Sequence, residues 1–244
     1  KADPGNTFAI PFMWGLVAFA YDPETIQKHI PKEDHDSWGL IYKPENIAKL
    51  KAAGTILIDD PTDLVFTMYI YLGIDLKDQS RATLNRVVDQ LKKVRPSVKR
   101  FDFSLSADQL VYGEVCLAQQ WVDHLICASE KNKRAKPIKI VLPREGTLMW
   151  IDVMTIPVDA PHKDEAYAFL DFLCRPEISA MITQAVNAPT AIPKARNHLS
   201  ASVKNNPLIF PPASYMKKVY MAEVTSLQFQ RQITRAYATI LTGK

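Results

Sequence analysis

Segments typical of β-strands alternate along this chain with segments typical of helices, and that alternation limits the chain to a small set of folds. Residues 55–59 (TILID) form a short β-branched run that predicts a strand. A helix is predicted to follow at once, because Asp60 can cap it, Pro61 can be its first residue and Asp63 lies in its first turn. Strands that alternate with helices in this way predict an α/β fold with a mainly parallel or mixed sheet.

The same signals divide the rest of the chain. We predict strands at residues 15–22, 55–59, 98–103, 114–120, 138–143 and 145–157. We predict helices at residues 23–30, after Pro44 up to a cap at Gly54, from Pro61, and at 79–94, 106–113, 121–133, 162–174 and 176–186, with two more within 213–241. In open sheets of this kind, ligands bind beyond the carboxyl ends of strands.

The composition of the 244 residues excludes several functional classes. Hydrophobic residues make up 47% and charged residues 23%, which is ordinary for a globular protein, and no apolar run is long enough to cross a membrane. The net charge of +4 is scattered. Its densest basic run, residues 131–139, has no interleaved aromatic residues, so we expect no nucleic-acid partner. The first residues are polar and do not resemble a signal peptide.

Motifs for catalysis and for metal or cofactor binding do not occur in the sequence. None of the 8 glycines cluster into a phosphate-binding loop, and there is neither a GxSxG elbow nor an HExxH pair. The 3 cysteines show no CxxC spacing, and the 5 histidines show no paired ligand spacing. A nucleophilic pair such as Cys127 with His124 stays open, but nothing places it at a strained turn. We therefore expect neither an enzyme nor a bound metal or cofactor.

One carboxylate lies within a segment that is otherwise apolar. Residues 145–157 (EGTLMWIDVMTIP) predict a buried strand with Asp152 near its centre. Burying a carboxylate is costly unless a positive group pairs with it, and no local helix cap explains this one. Asp152 is therefore predicted to meet a positive partner, which the residues alone leave open as a side chain or a ligand.

Further carboxylates lie close to tryptophans, a pattern that suits an organic cation. Aromatic faces attract the charge and cover methylene groups, while carboxylates accept hydrogen bonds from ammonium groups. The residues of this pattern are Asp60, Asp63, Trp121, Asp123, Trp150 and Asp152. Some have an alternative role: Asp60 suits a helix cap, Asp63 is favoured in a first helical turn without any ligand, and Trp121 suits the core.

Five segments carry a family resemblance that runs in order along nearly all of the chain. They are residues 8–15 (FAIPFMWG), 43–73, 112–121 (YGEVCLAQQW), 142–177 and 205–213 (NNPLIFPPA). With them the chain resembles the substrate-binding proteins of polyamine ABC transporters, which are periplasmic putrescine- and spermidine-binding proteins. The resemblance implies the two-lobe α/β fold of type II periplasmic binding proteins. It also implies a polyamine held between the lobes and a membrane permease as partner.

The resemblance covers only the C-terminal two thirds of such proteins, so part of one lobe is expected to be missing. It implies a C-terminal-type lobe formed by residues 10–149 with 195–244. Residues 1–9 with 150–194 would be the remnant of the N-terminal-type lobe, without the N-terminal residues that carry further ligand contacts in the family. Bare apolar surface on residues 150–194 would favour self-association, and so a homodimer.

Carried over position by position, the resemblance implies a ligand site. Asp152 matches the family's central carboxylate for a ligand amine, and Trp150 matches the aromatic residue beside it. Trp121 matches the aromatic residue that packs along the aliphatic ligand. Asp63 matches an acidic contact that is usually glutamate, and Asp60 an aspartate used by spermidine binders. The positive partner of Asp152 would then be an ammonium group of the ligand.

Two places depart from the family pattern. His124 lies where putrescine binders have an aspartate, and Asp123 lies one residue earlier, a shift that turns its carboxylate by about 100° on a helix. Both residues stay in the candidate ligand-binding set. Ala188 lies where the family often has a cleft tyrosine. These differences leave two rival interpretations: the same fold binding another solute, or a truncated remnant that associates with itself and does not transport.

Overall fold

The computed structural model of the chain describes residues 3–31, 35–131, 137–222 and 225–242. Within them the strands are β1 (Ile10–Tyr21), β2 (Thr55–Leu57), β3 (Arg100–Phe101), β4 (Leu117–Trp121), β5 (Lys139–Val141), β6 (Thr147–Met154) and β7 (Val219–Met221). The helices are α1 (Pro23–His29), α2 (Gly39–Tyr42), α3 (Pro44–Lys49), α4 (Pro61–Tyr71), α5 (Arg81–Val94), α6 (Ser106–Val111), α7 (Val122–Lys131), α8 (Lys163–Leu173), α9 (Pro176–Val186), α10 (Ala201–Lys204), α11 (Ala213–Met216) and α12 (Leu227–Thr242). Short 3-10 helices cover Arg95–Ser97 and Pro193–His198.

These strands form one mixed sheet organised around β1. Their order is β3-β2-β4-β1-β6-β7, with β5 also paired to β1. Residues 10–16 of β1 pair with β6, and residues 17–21 pair with β4. The strand β2 runs parallel to β3 and β4, and β7 runs parallel to β6, whereas β1 is antiparallel to its partners. The predicted α/β class with a mixed sheet is confirmed.

Two helices begin within four residues of the end of a strand, each at an aspartate followed by a proline. The Asp22 side chain accepts hydrogen bonds from the first backbone N–H groups of α1, and Pro23 is the first helical residue. Asp60 does the same for α4, accepting from the N–H groups of Thr62 and Asp63 at 2.8 Å each. These contacts satisfy helix donors that have no intrahelical partner. The predicted start of α4 is confirmed.

The core lies on both faces of the second half of β1. Val17, Phe19 and Tyr21 belong to one buried cluster, which includes residues of α2, α4, α5 and α12. Residues Leu16 and Ala18 alternate with them and belong to a second cluster, formed largely with α6 and α7. Successive side chains of a strand point to opposite faces, so a continuous apolar run is typical of a strand covered on both sides. The described helices include none long and apolar enough to span a membrane.

The C-terminal region differs from the sequence prediction. Two helices were expected within residues 213–241, but between α11 and α12 the chain forms β7, which pairs with Thr147–Met149 of β6. A strand of three residues is too short to show a periodic pattern. Its place depends on an edge of β6 that is distant in sequence. The short helix α2 was also not predicted.

Residues 150–194 leave much apolar surface uncovered. Helix α8 has no buried residue. The large exposed apolar side chains of this segment are Ile151, Val153, Val158, Tyr167, Phe169, Phe172, Met181 and Val186. The outer part of β6, from Trp150 onwards, pairs with β1 but has no strand on its other edge in the described part of the chain. The division into residues 10–149 with 195–244 and 1–9 with 150–194 remains a prediction.

Candidate ligand-binding site

The sheet brings the two candidate tryptophans together. Trp121, the last residue of β4, is opposite Val17 of β1, and Trp150 of β6 is opposite Gly15. Val17 and Gly15 are two residues apart, so both tryptophans lie on the same face of the sheet, on either side of β1. Their rings stack with centroids 4.7 Å apart and an interplanar angle of 29°.

Gly15 makes this stacking possible. A Cβ atom at this position would lie 2.3 Å from Cζ2 of Trp150, far inside van der Waals contact. The Trp150 ring therefore lies directly on the backbone of β1 and reaches across it to Trp121. Its Nε1 is buried without a hydrogen-bond partner among the described residues.

Replacing Gly15 by alanine is expected to push the two indole rings apart. The new methyl group overlaps the Trp150 ring, and such overpacking typically costs about 1–3 kcal/mol of unfolding free energy. Near-UV circular dichroism, which responds to stacked indoles, should lose intensity. In a Trp150→Ala background the same Gly15→Ala change should have little effect on stability. An equal loss in both backgrounds would contradict the packing assigned to this glycine.

Trp121 is fixed by contacts on two sides. Its Nε1 donates a hydrogen bond to Oδ2 of Asp63 at 2.8 Å. The Phe103 ring meets it edge-on, with centroids 4.9 Å apart and an angle of 86°. The ring is half-buried and borders the core without being enclosed by it. Trp121 therefore packs against the core and also keeps accessible surface. Its two predicted roles, in the core and in ligand binding, are compatible.

Asp63 is a buried carboxylate whose charge is disfavoured. It is 9% exposed and lies in the first turn of α4. Burial raises its pKa to about 7, the negative charge of Asp60 adds to the increase, and the hydrogen bond from Trp121 opposes it. Asp60 itself is the helix cap described above, as its local sequence suggested. A cation beside this pair would favour the ionised form of Asp63.

Asp123 and His124 point in different directions from the first turn of α7. The imidazole of His124 packs against the rings of Phe103 and Trp121, with centroids 5.3 and 5.7 Å away. Asp123 is turned into the protein and borders a small cavity beside Gly15. Burial raises the pKa of its carboxyl, nearby His124 lowers it, and the negative charge of Asp152 raises it further. Thus the imidazole of His124 lies beside the Trp121 ring, and the roles of Asp123 and His124 in ligand binding remain predictions.

Asp152 is exposed, so the prediction that it lies in a buried strand is wrong in this structure. Of β6, Thr147 and Leu148 are buried, whereas the residues around Asp152 are open to solvent. No hydrogen bond or ion pair joins Asp152 to another residue in the described ranges. The reason is that this end of β6 pairs with β1 along one edge only, and other elements would have to pack against it to bury Asp152. Its role in ligand binding remains a prediction.

The structure thus joins most of the candidate residues and adds two. Asp60, Asp63, Trp121, Trp150 and His124 form one contiguous group, and Asp123 and Asp152 interact electrostatically at its side. Phe103 and Gly15 were not singled out from the sequence. Phe103 follows the short strand β3, so its place near a strand's carboxyl end was an available signal. Among the described residues, no group of three His, Cys, Asp or Glu side chains could hold a metal ion.

Comparison with known proteins places the chain in a family. Residues 2–211 match the model of the bacterial extracellular solute-binding proteins, and the chain belongs to that family. It is 35% identical over 250 residues to the putrescine-binding periplasmic protein PotF of Escherichia coli, covering 100% of this chain and 67% of PotF. It is 34% identical over 247 residues to the putrescine-binding periplasmic protein SpuD of Pseudomonas aeruginosa, covering 100% of this chain and 67% of SpuD.

Solved structures support the fold. A putative spermidine/putrescine ABC transporter protein from Listeria monocytogenes aligns with a TM-score of 0.83 at 21% identity, over 96% of this chain and 68% of that one. The substrate-binding protein PotD of Streptococcus pneumoniae aligns with a TM-score of 0.79 at 23% identity, over 99% of this chain and 71% of that one. The family resemblance and the partial type II binding-protein fold are confirmed. These relatives are solute-binding proteins of transporters and not enzymes, as expected, and the chain spans about two thirds of their length.

Proposed function

We propose that this chain is the larger part of a periplasmic solute-binding protein that presents a polyamine to the permease of an ABC importer. The observation that carries the proposal is the Trp121–Trp150 pair, which has a buried carboxylate hydrogen-bonded to one indole. The two curated relatives named above are putrescine-binding proteins, and both are periplasmic by name.

The chemistry of the group suits a flexible dication. An indole face attracts an ammonium group and covers the methylenes that join two such groups. Asp63 accepts a hydrogen bond from Trp121 and lies next to Asp60, while Asp123 and Asp152, which interact electrostatically, come directly after the two tryptophan positions in sequence. Charge-assisted hydrogen bonds from ammonium groups are stronger than neutral ones, so each end of the ligand can be held. The indoles already contact each other, so the ligand would lie along the pair and not between its members.

The first experiment titrates the chain with putrescine, spermidine, 1-aminobutane and 1,4-butanediol. NMR signals of the Trp121 and Trp150 indole N–H groups report binding even when it is weak. The two polyamines should shift these signals in a saturable manner, the monoamine should do so less, and the diol should not. Indole shifts with the diol equal to those with putrescine would contradict a cation site. A saturable response only to other solutes would favour the rival interpretation suggested by His124 and Ala188.

Asp152→Asn is expected to weaken polyamine binding by at least tenfold. The change removes a charge and leaves a side chain of nearly the same shape, and a hydrogen bond to a charged group is typically worth about 1.5–3 kcal/mol. The matched control is Asp159→Asn, which makes the same charge change at an exposed position after the strand. Affinity is compared by the same indole titration. If both variants bind putrescine as the wild type does, Asp152 is not a ligand contact.

The second candidate function is self-association, favoured by the apolar surface of residues 150–194. Exposed apolar patches of this kind mark interaction sites. The outer edge of β6 also offers unpaired backbone groups to another strand. For the 244-residue polypeptide on its own, we propose that a second copy of the chain covers this apolar surface and the edge of β6. Both partners then offer the same face and the same strand edge.

A further inference from the structure

A buried hydrogen-bond network adjoins the contact between Trp121 and Asp63. It consists of Tyr42 of α2, Thr67 of α4 and Gln119 of β4, which are each 0% exposed. Gln119 Nε2 donates to Oη of Tyr42 at 3.2 Å and to Oγ1 of Thr67 at 3.1 Å. Oη of Tyr42 lies 2.6 Å from Oγ1 of Thr67, and the Thr67 hydroxyl donates to the backbone carbonyl of Asp63. The network therefore joins β4 to the turn of α4 that carries Asp63.

The direction of each hydrogen bond in this network follows from the protons available. Thr67 has one hydroxyl proton and donates it to the Asp63 carbonyl, so its Oγ1 is an acceptor toward the other two members. Burial raises the pKa of Tyr42, which keeps its proton and donates it to Thr67. Gln119 then has to present its amide donors to the two hydroxyls, because an amide oxygen in that place would meet no free proton. The network thus fixes how its three members are oriented.

The network and the Trp121–Asp63 hydrogen bond form two matched links between β4 and α4. Gln119 and Trp121 are two residues apart on a strand, so their side chains lie on the same face, about 6.6 Å apart along it. Asp63 and Thr67 are four residues apart on a helix, so they lie on one face about one turn, or about 5.4 Å, apart. Because the two spacings are similar, Gln119 can reach Thr67 while Trp121 reaches Asp63. Loss of the first link would let the start of α4 move relative to the end of β4.

Stability alone does not explain a glutamine at position 119. Its Oε1 is buried without a hydrogen-bond partner among the described residues. An unsatisfied buried acceptor is unfavourable, and an apolar side chain of similar size would avoid that cost. Leu117, which precedes it on the same face of β4, is apolar and belongs to the core. The glutamine is therefore better explained by the orientation that its hydrogen bonds impose on α4.

We propose that Gln119, Tyr42 and Thr67 are positioning residues of the candidate ligand site, which hold the first turn of α4 so that the Asp63 carboxylate faces the Trp121 indole. The three residues are enclosed in the core, so they act on a ligand through Asp63 and Trp121 and not by contact. A site that is already arranged loses less conformational freedom when its ligand binds, so the network should raise the affinity for a cation. This inference rests on the proposed polyamine function, because it concerns the affinity of that site.

The first test measures hydrogen exchange of indole N–H groups by NMR at about pH 8, where Asp63 is largely ionised because burial raises its pKa to about 7. Thr67→Val removes the hydroxyl and keeps the shape, and it should speed exchange at Trp121 about tenfold or more. The internal reference is the Trp38 indole, which donates to the carbonyl of Gly146 and should not change. Thr67→Ser keeps the hydroxyl and should behave as the wild type at Trp121, although the lost methyl group destabilises the core.

Gln119→Leu is a second, independent variant for the same measurement. It removes the donors on β4, so it should also speed exchange at Trp121 relative to Trp38. No change at Trp121 in either variant, or equal changes at Trp121 and Trp38, would overturn the proposal, since the network would then only stabilise the fold. A Thr67→Ser chain that behaves as Thr67→Val does would also overturn it, because the hydroxyl would then not be responsible.

A second arm separates this proposal from the polyamine function. Putrescine is titrated against the wild type, Thr67→Val and the control Thr55→Val, which removes a buried hydroxyl that has no partner among the described residues. Thr67→Val should weaken putrescine binding about fivefold or more, whereas Thr55→Val should leave it unchanged. If exchange at Trp121 responds as expected and the wild type does not bind putrescine, the positioning of Asp63 stands and the polyamine function fails. If putrescine binds equally to the wild type and Thr67→Val, the function stands and the positioning role fails.

Discussion

On its own, the 244-residue polypeptide is expected to bind putrescine several orders of magnitude more weakly than a full-length relative such as PotF. A two-lobe protein gains affinity by closing both lobes on the ligand, so that contacts from each side add and water is excluded. The chain spans 67% of PotF, and the family resemblance places further ligand contacts in the remaining third. Losing two or three charge-assisted contacts, at about 1.5–3 kcal/mol each, gives an effect of this size.

Calorimetric titration of the chain beside full-length PotF as a positive control measures this difference. The chain should show no saturation at micromolar ligand concentrations, and its indole NMR signals should respond only at much higher concentrations. Micromolar binding by a monomer would refute the prediction and would mean that the retained residues suffice.

The same polypeptide is expected to associate through residues 150–194, which light scattering can detect. Phe169 on α8 is 59% exposed and should contribute to this surface, so Phe169→Ser should reduce the associated fraction. Tyr112, which is 68% exposed outside that segment, supplies the matched control Tyr112→Ser. A chain that stays monomeric at high concentration, or one that both substitutions affect equally, would argue against this surface as the interface.

Local sequence signals were sufficient to predict those parts of the structure that depend on contacts between residues close together in the chain. Asp22 and Asp60 cap their helices because the N–H groups they bond belong to the next few residues. The strand β7 could not be found in this way, since its pairing with β6 joins residues about seventy positions apart. The continuous apolar run of β1 predicted a strand, and its burial on both faces follows from that run.

The site shows the same division between local and distant information. The side chains of Asp123 and His124 point in different directions because successive residues of a helix are rotated by about 100°, and this difference was predicted. The stacking of Trp121 on Trp150 depends on the register of two strands against β1, which the sequence does not specify. The burial of Asp152 was inferred from its apolar neighbours in sequence. In the structure the burial of Asp152 depends on which elements pack against β6, and the described residues leave this end of the strand exposed to solvent.

The pKa of Asp63 links the site to the stability of the whole fold. Its ordinary value is 3.8, and burial next to Asp60 raises it to about 7 in the folded chain. Between these two values the folded protein binds the proton more readily than the unfolded protein does. The free energy of unfolding therefore falls as pH rises from about 4 to about 7, and the destabilising effect of the buried charge is fully present above that range.

Asp63→Asn is therefore expected to stabilise the unliganded chain above pH 7, by about 2–4 kcal/mol of unfolding free energy. The substitution removes the buried charge, and the new side-chain oxygen can still accept the hydrogen bond from Nε1 of Trp121. The advantage should shrink as pH falls and vanish near pH 4, where Asp63 is protonated in the folded chain. Urea unfolding at several pH values measures it, with Asp89→Asn at an exposed position of α5 as the charge-matched control. A stabilisation by Asp63→Asn that does not change with pH would show that shape, and not the charge of this carboxylate, decides its effect on stability.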